Sequence, residues 1–392
     1  MSDGALSGVK VVEIAEGVSG PFCGRMLAAM GAEVIKIERP PGGDRTRREA
    51  PFLPDVPEPE SSALYLYLNA GKKSVTVDWR SDEARPVVRR LLKDAHLLLE
   101  NGPPGELARF GLDFDALHDL NRGLSLVSIT DFGSFGPYAD WSATPLVNLA
   151  LGGYLYLSGD EDREPLMLPG FQPDYVAGLH GYFGAMMALW SLDETGEGQH
   201  VEVSAVESLA SMSQFTTVMH TYSGIVRKRH GNRWESQGAY ARHPITVLPC
   251  KDGRVSFAVS TEPQWEMLCA MIGRPDMLED PAYGTFLGRR SHADEIDAIL
   301  TDWLRGKTEE EVFNMAAGIW SVPAARVSDL SAVLDDPQYR SRGLWSMVDH
   351  PVAGGYTQPT VPFQMSHTQP SFGRAPLLGE HNDEILRGRL AS

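Results

Sequence analysis

Short apolar runs alternate with longer periodic segments along the first third of the chain. Val9 to Ile14 reads as a buried strand, and Gly17, Gly20 and Pro21 form a turn leading into a helix that ends near Met30. Glu33 to Ile37 is a second strand. Ser74 to Asp78, with Val75 and Val77 alternating, is a third. A helix over Asp82–Lys93 precedes strands at His96–Glu100 and Ser125–Thr130. Strands separated by helix-length segments predict a parallel, doubly wound α/β sheet. Such sheets take ligands beyond the carboxyl ends of their strands, often where phosphates meet helix N-termini.

From Asp174 to about Leu192 the pattern turns helical, with Val176, Leu179, Phe183, Met186, Met187 and Trp190 as the apolar face. Gly178, Gly181 and Gly184 recur every third residue. Each costs about 1 kcal/mol in a helix interior relative to alanine, so three of them predict close packing against another backbone. Thr195 to Gln199 is a turn, His200–Ser204 a strand, and Ala205 to about His220 a helix. The polar, basic stretch from Ser223 to Gly238 reads as a linker. Arg254 to Val259 is a further strand, and Thr308 with Glu311 forms a capping box. Asp335-Asp336-Pro337 marks a second boundary, before a Pro- and Gly-rich tail with short strands and a final short helix. The expected division is 1–222, 223–336 and 337–392. No internal repeat or low-complexity tract interrupts it.

A length of 392 residues fits two domains, and 42% hydrophobic residues is ordinary for a globular protein. No apolar run is long enough to span a bilayer, and the first residues lack the basic and apolar regions of a secretory signal. The three cysteines, Cys23, Cys250 and Cys269, are far apart and fit no metal spacing. They are expected to be reduced and buried, in a cytoplasmic protein with no membrane partner. A net charge of −17 argues against a nucleic-acid partner. The cations are nevertheless clustered: Arg39, Arg45, Arg47 and Arg48, then Lys72 and Lys73. A solvated loop is the ordinary explanation of such a cluster. The sharper one is a local site for a phosphorylated small molecule.

Several segments could carry chemistry. The turn Gly17 to Gly24 is not GxGxxG, so a dinucleotide fingerprint is absent. Gly42-Gly43-Asp44-Arg45-Thr46-Arg47-Arg48 follows the second strand directly, where arginine forks and glycine N–H groups suit phosphate. Asp174 opens its helix in Pro173-Asp174-Tyr175-Val176-Ala177-Gly178. Aspartate is a good N-cap, and a helix N-terminus also keeps a carboxylate ionised, as a nucleophile requires. The two roles are compatible. The scattered histidines assemble no Ser-His-Asp or Cys-His set, and Phe132-Gly133-Ser134-Phe135-Gly136 lacks the GxSxG pattern.

Taken in order, a series of segments resembles the family III CoA-transferases, the group containing formyl-CoA:oxalate and carnitine CoA-transferases and related to α-methylacyl-CoA racemase. They are Leu6–Glu13, Gly31–Pro40, Asn69-Ala70-Gly71-Lys72-Lys73-Ser74, Glu100-Asn101 with Pro104-Gly105, Phe132–Tyr138, Asp174 with Gly178, Thr195–Gln199, and Arg374–His381. The resemblance implies a large Rossmann-like α/β domain, a smaller α+β domain, and subunits interlocked as an intertwined homodimer. It implies that Asp174 is the catalytic carboxylate, passing through an aspartyl anhydride and an aspartyl-CoA thioester. It gives Arg39, Lys72, Lys73, Asn101 and Arg109 as contacts to coenzyme A, with Val18 near the reacting centre. Coenzyme A enters as the acyl-CoA substrate, beside a carboxylic acid, with no permanently bound cofactor and no metal.

Departures from the family pattern bear on specificity. Asn101-Gly102-Pro103-Pro104-Gly105 replaces the usual Asn-Phe-Arg-Pro-Gly, and Val18 stands where the oxalate-using member has glutamine. Both point away from oxalate, and Trp141–Asn148 points to a larger or more apolar acyl group. Two alternatives share the resemblance. A racemase needs a histidine in Trp141–Asn148, where there is none. A silent acyl-CoA-binding homologue needs no Asp174.

Overall fold

A computed structural model describes residues 4–233 and 242–387 of the chain. Six parallel strands form the central sheet: β1 (Lys10–Glu13), β2 (Glu33–Glu38), β3 (Lys73–Thr76), β4 (Leu97–Glu100), β5 (Ser125–Thr130) and β6 (His200–Ser204). Their order is β3-β2-β1-β4-β5-β6, with registers such as Val11↔Val34, Val11↔Leu97 and Leu126↔His200. Both faces of the sheet are buried, which is why its strands read as nearly continuous apolar runs. Val11, Leu97, Leu99, Val127 and Ile129 face one core cluster. Val12, Leu98, Leu126, Ile35 and Val75 face the other.

Four helices of this unit bear on the crevice at the sheet's end: α1 (Ser19–Ala29), α2 (Pro145–Leu151), α3 (Gln172–Thr195) and α4 (Ala205–Met212). Along α3 the small residues Ala177, Gly178, Gly181, Ala185 and Ala188 are buried. A Cβ at Gly178 would drive into the carbonyl oxygen of Ser19, and one at Gly181 or Gly184 into Ile129 or Val201. Only Gly178 therefore meets backbone; the other two make room for sheet side chains. The large apolar face divides: Met186 packs against the core, whereas three of its members do not. Phe183, Met187 and Trp190 are 56%, 64% and 69% exposed. Periodicity finds two faces on this helix but does not say which one is covered.

The helix expected over Ala205 to His220 is two, α4 and Gln214–Ser223, separated at Ser213. Just before the break the Ser208 and Ser211 hydroxyls donate to the carbonyls of Ser204 and Ser208, a local competition that weakens helices.

The chain divides into two compact units. The larger takes the chain up to Gly152, Leu168–Met212, and everything from Pro337 on; the smaller is Gly153–Met167 with Ser213–Asp336. The smaller unit has its own core, with Trp265, Leu268, Ile296 and Leu300 packed beside an antiparallel sheet of β7 (Ile245–Pro249), β8 (Arg254–Ala258) and β9 (Ala324–Arg326). The Thr308–Glu311 capping box forms as expected. The linker expected over Ser223 to Gly238 lies partly outside the described residues.

In the larger unit the tail adds the hairpin of β10 (Trp345–His350) and β11 (Gly354–Pro359). It then lies along β3: Gly379 N–H donates to Ser74 Oγ (2.9 Å), and Asn382 exchanges hydrogen bonds with Thr76 (2.7 and 2.8 Å). Ile385 closes the second core cluster. Cys23 and Cys269 are buried free thiols, whereas Cys250 is only half-buried. No helix among the described residues is long and apolar enough to cross a membrane.

Candidate active site

β1 and β4 are neighbours, but the chain leaves them toward opposite edges of the sheet. The loops beyond their carboxyl ends diverge there and leave the crevice that open α/β sheets use for ligands. A cavity of about 710 Å³ occupies it, entirely within the larger unit. Its wall comes from the turn after β1 (Glu16 to Ser19), the segment after β4 (Asn101 to Pro104), and Asp131 and Phe132 after β5. Arg45, Arg109 and Asp174 are among its other charged lining residues.

Asp174 is the third residue of α3. The cap position is Phe171, so Asp174 points from the first turn and is not the N-cap. Its Oδ2 is shielded from solvent and has no hydrogen-bond partner among the described residues. Burial pushes its carboxyl up to about 6, and the nearby Asp131 carboxylate adds to that; Arg45 and the backbone N–H of Asp174 itself pull the other way. The helix terminus thus does not win over desolvation, contrary to the expectation of an ordinary ionised cap. At neutral pH the group is still mostly anionic, and it is a poorly solvated anion. The crossing of α3 over α1 at Gly178, one turn on, sets where the carboxylate emerges. Tyr175 packs edge-on against Phe22 with centroids 5.0 Å apart and holds the same junction.

Asp131 follows β5 directly. Its two carboxylate oxygens accept from Ala143 N–H (3.1 Å) and Asn148 Nδ2 (3.0 Å), so it clips the 143–148 segment and the start of α2 beside Asp174. Sequence reasoning does not single it out. The available signal is a carboxylate placed immediately past a strand of a doubly wound sheet.

The remaining expected residues separate into two groups. Val18, Asn101 and Arg109 line the cavity with Asp174. Val18 is buried in the turn after β1. Asn101 braces that turn, donating to the Glu16 carbonyl (2.6 Å) and accepting from Glu16 N–H (2.9 Å). Arg109 is exposed. Arg39, Lys72 and Lys73 are not part of the lining. Arg39 pairs with Glu16 (3.3 Å), itself a lining residue. Lys73 pairs with Glu33 (3.0 Å) and Glu384 (2.6 Å).

The Lys72 side chain is committed elsewhere. Its ammonium is buried and saturated by Glu13 (2.8 Å), the Pro21 carbonyl (2.8 Å) and Asn69 (3.0 Å), and burial draws it down to about 8. A phosphate cannot reach it without opening the core. The arginine cluster is likewise not one phosphate site. Arg47 is fully buried between Glu38 (2.7 Å) and Glu60 (2.8 Å), with its guanidinium over the Tyr65 ring. No group of three or more His, Cys, Asp or Glu among the described residues could hold a metal.

A six-stranded parallel sheet with a half-buried carboxylate in the crevice at its switch point defines an α/β protein built to act on a ligand there. The model of the family described as CoA-transferase family III matches residues 6–382. The chain is 33% identical over 387 residues to succinate–glutarate CoA-transferase of Agrobacterium fabrum, covering 97% of this chain and 94% of that protein. It is 31% identical over 405 residues to formyl-CoA:oxalate CoA-transferase of Rhodopseudomonas palustris, covering 98% and 92%. The crystal structure of a CAIB/BAIF family protein from Brucella suis superposes with a TM-score of 0.88 at 30% identity, covering 99% of this chain and 100% of that one. The chain belongs to CoA-transferase family III, and it is an acyl-CoA:carboxylate CoA-transferase.

Proposed function

We propose that Asp174 is the nucleophile that carries the acyl group and then coenzyme A. The observation that supports this most is its half-buried carboxylate, one oxygen of which has no hydrogen-bond partner among the described residues, at the wall of the cavity. A desolvated anion is the more reactive one, and an oxygen not committed to a hydrogen bond is available to attack. The carboxylate adds to the thioester carbonyl of the donor. A C–O bond forms and the C–S bond breaks, giving a mixed anhydride and CoA thiolate. The thiolate attacks the aspartyl carbonyl, giving an aspartyl-CoA thioester and releasing the donor acid. The acceptor carboxylate then attacks that thioester, and the same two steps run in reverse. Thioester energy is conserved throughout, so the exchange calls for no cofactor beyond coenzyme A itself and no metal.

In this reading Val18 lies beside the reacting acyl group and Asn101 keeps the turn after β1 in shape. Arg109 meets the charged part of coenzyme A, with Arg39 acting at the rim through Glu16. Leu179, Phe183, Met187 and Trp190 leave a stripe of large apolar side chains exposed along α3, the kind of surface that marks a protein–protein contact. A second copy covers it, in an interlocked homodimer. The racemase alternative finds no support, since no histidine among the described residues lines the cavity to partner Asp174 in proton exchange.

The test is mass spectrometry of the intact protein and its peptides after exposure to a panel of acyl-CoAs, with hydroxylamine as trap. An acyl or CoA adduct on Asp174, absent in Asp174→Ala, is expected. Deuterium entering the α-position of the acyl group without any adduct would overturn the proposal in favour of the racemase.

A further inference from the structure

The arginine cluster that looks like one basic patch in sequence is four different environments in space. Arg39 pairs with Glu16, Arg47 is enclosed by Glu38 and Glu60, and Arg48 donates to the Gly42 carbonyl (2.6 Å). Arg45 alone has no hydrogen-bond or ion-pair partner among the described residues, and it is the member of the cluster that lines the cavity. Arg45 is exposed, so its guanidinium is open to a ligand's charge.

Its position is built. The residues on either side, Asp44, Thr46 and Arg47, are all buried. Asp44 accepts from Thr46 N–H (2.8 Å), Thr46 Oγ (2.7 Å) and Gly17 N–H (3.2 Å), and its other oxygen meets Lys36 (2.7 Å). One buried carboxylate therefore fixes both the backbone that carries Arg45 and the turn that carries Gly17. The guanidinium lies against Gly17, where a Cβ would overlap it, and Gly17 has a φ of +82°, which disfavours any side chain. The guanidinium is near enough to Asp174 for its charge to be felt there, yet no ion pair within 4.0 Å joins them. That separation leaves room for a ligand group between the two.

Most other charged groups of the wall are acidic, Glu16, Glu49 and Asp131 among them; of its other arginines, Arg80 pairs with Glu106 (2.7 Å) and Arg109 is exposed. A substrate with a second carboxylate would be repelled there unless it met Arg45, the cation whose charge reaches Asp174. We infer that Arg45 is the specificity-determining residue of this site, pairing with the remote carboxylate of a short dicarboxylic acyl group or acid. This rests on the transferase reading and adds the substrate class to it. A guanidinium suits the role because it binds carboxylate with two parallel hydrogen bonds, and a site built to bind a charged group discriminates steeply against the analogue lacking it.

The half-reaction tests it without an acceptor. Rates of adduct formation at Asp174 are compared for succinyl-CoA against butyryl-CoA and for glutaryl-CoA against pentanoyl-CoA. The wild type is expected to prefer the carboxylated member of at least one pair. Arg45→Gln should lower that preference by about 30-fold, and Arg45→Lys should restore part of it. The ratio cancels any effect of Arg45 on Asp174 itself, since both substrates meet the same nucleophile. An unchanged ratio in Arg45→Gln overturns the inference. A wild type that reacts with the uncharged chains only overturns it too, and leaves the transferase reading standing. Reaction with none of the four overturns the inference, and the role of Asp174 is then decided on the wider acyl-CoA panel.

Discussion

Two clusters of charge lie within one unit of this protein and differ in almost every respect except residue type. Under the sheet ends, Lys36 bridges Glu13 (2.9 Å) and Asp44 (2.7 Å), Lys72 meets Glu13 again, and Arg47 joins Glu38 to Glu60. Arg47 and Tyr65 also donate to Glu38 (2.9 and 3.0 Å), and Arg47 reaches the Pro376 carbonyl (3.2 Å). At the cavity, Asp174 has an oxygen with no partner and Arg45 has no partner at all among the described residues. The first cluster fills its hydrogen-bonding capacity internally, as buried charge must. The second leaves capacity open. Charge marks structure where it is buried with its partners and function where it faces a cavity with capacity left open.

The sharpest way to break the contrast is to remove one charge from each side. Asp174→Ala should abolish transfer, by at least about 10⁴-fold in kcat, while the protein folds as before. A steady-state assay with circular dichroism of the same sample checks both halves. Residual turnover within tenfold of wild type would mean the nucleophile is elsewhere. Arg47→Ala should do the reverse damage. It leaves Glu38 and Glu60 buried and unpaired, at a cost of about 3–5 kcal/mol, read from urea unfolding. A loss under about 1 kcal/mol would show that water or rearrangement replaces the guanidinium, and the two clusters would then be less different than they look.

That contrast also explains what could be read from the sequence. The central strands were legible because burial on both faces writes itself as apolar runs such as Leu97-Leu98-Leu99. Asp174 was legible because a carboxylate at the start of a glycine-bearing helix is a local pattern. The partners of a charge are not local. Arg45 and Arg47 are two residues apart in Asp44-Arg45-Thr46-Arg47, and nothing there says that Glu38, Glu60 and Tyr65 will enclose one and leave the other open. The carboxylate that meets the Lys72 ammonium, Glu13, lies 59 residues away. Nothing local marks Asp131, whose partners Ala143 and Asn148 lie 12 and 17 residues on. On α3 the same limit applied to direction, since both the small face and the large apolar face repeat with helical period.

A smaller change tests whether the geometry of the site depends on backbone contact. Gly178→Ala places a Cβ against the Ser19 carbonyl at the crossing of α1 and α3, and the oxygen belongs to backbone that has little freedom to move. The expected cost is about 2 kcal/mol of stability, accompanied by a fall in kcat larger than that in a control such as Gly184→Ala, whose neighbour is a Val201 side chain. Equal effects at the two positions would show that the junction does not position Asp174.

The smallest effect is also the most direct probe of the open cluster. The Asp174 carboxyl is raised to about 6 by burial and by Asp131, above its ordinary value of 3.8. A raised carboxyl favours the folded state while protonated, so its contribution is complete below about pH 4 and is lost as pH rises through 6. Above pH 7 the folded protein therefore carries an anion it would be more stable without. Asp174→Asn keeps the shape and removes the charge. It should melt with the wild type near pH 4 and be more stable by about 1–2 kcal/mol near pH 8, a figure reduced from the full shift because the group is partly solvated. The same titration should set the acid limb of kcat/KM for the wild type near pH 6, as the nucleophile loses its charge. Thermal melts of the two proteins across pH 4 to 8 decide the matter. A constant difference across that range, or an asparagine variant less stable at pH 8, would mean that Asp174 is paired after all and belongs with the filled cluster.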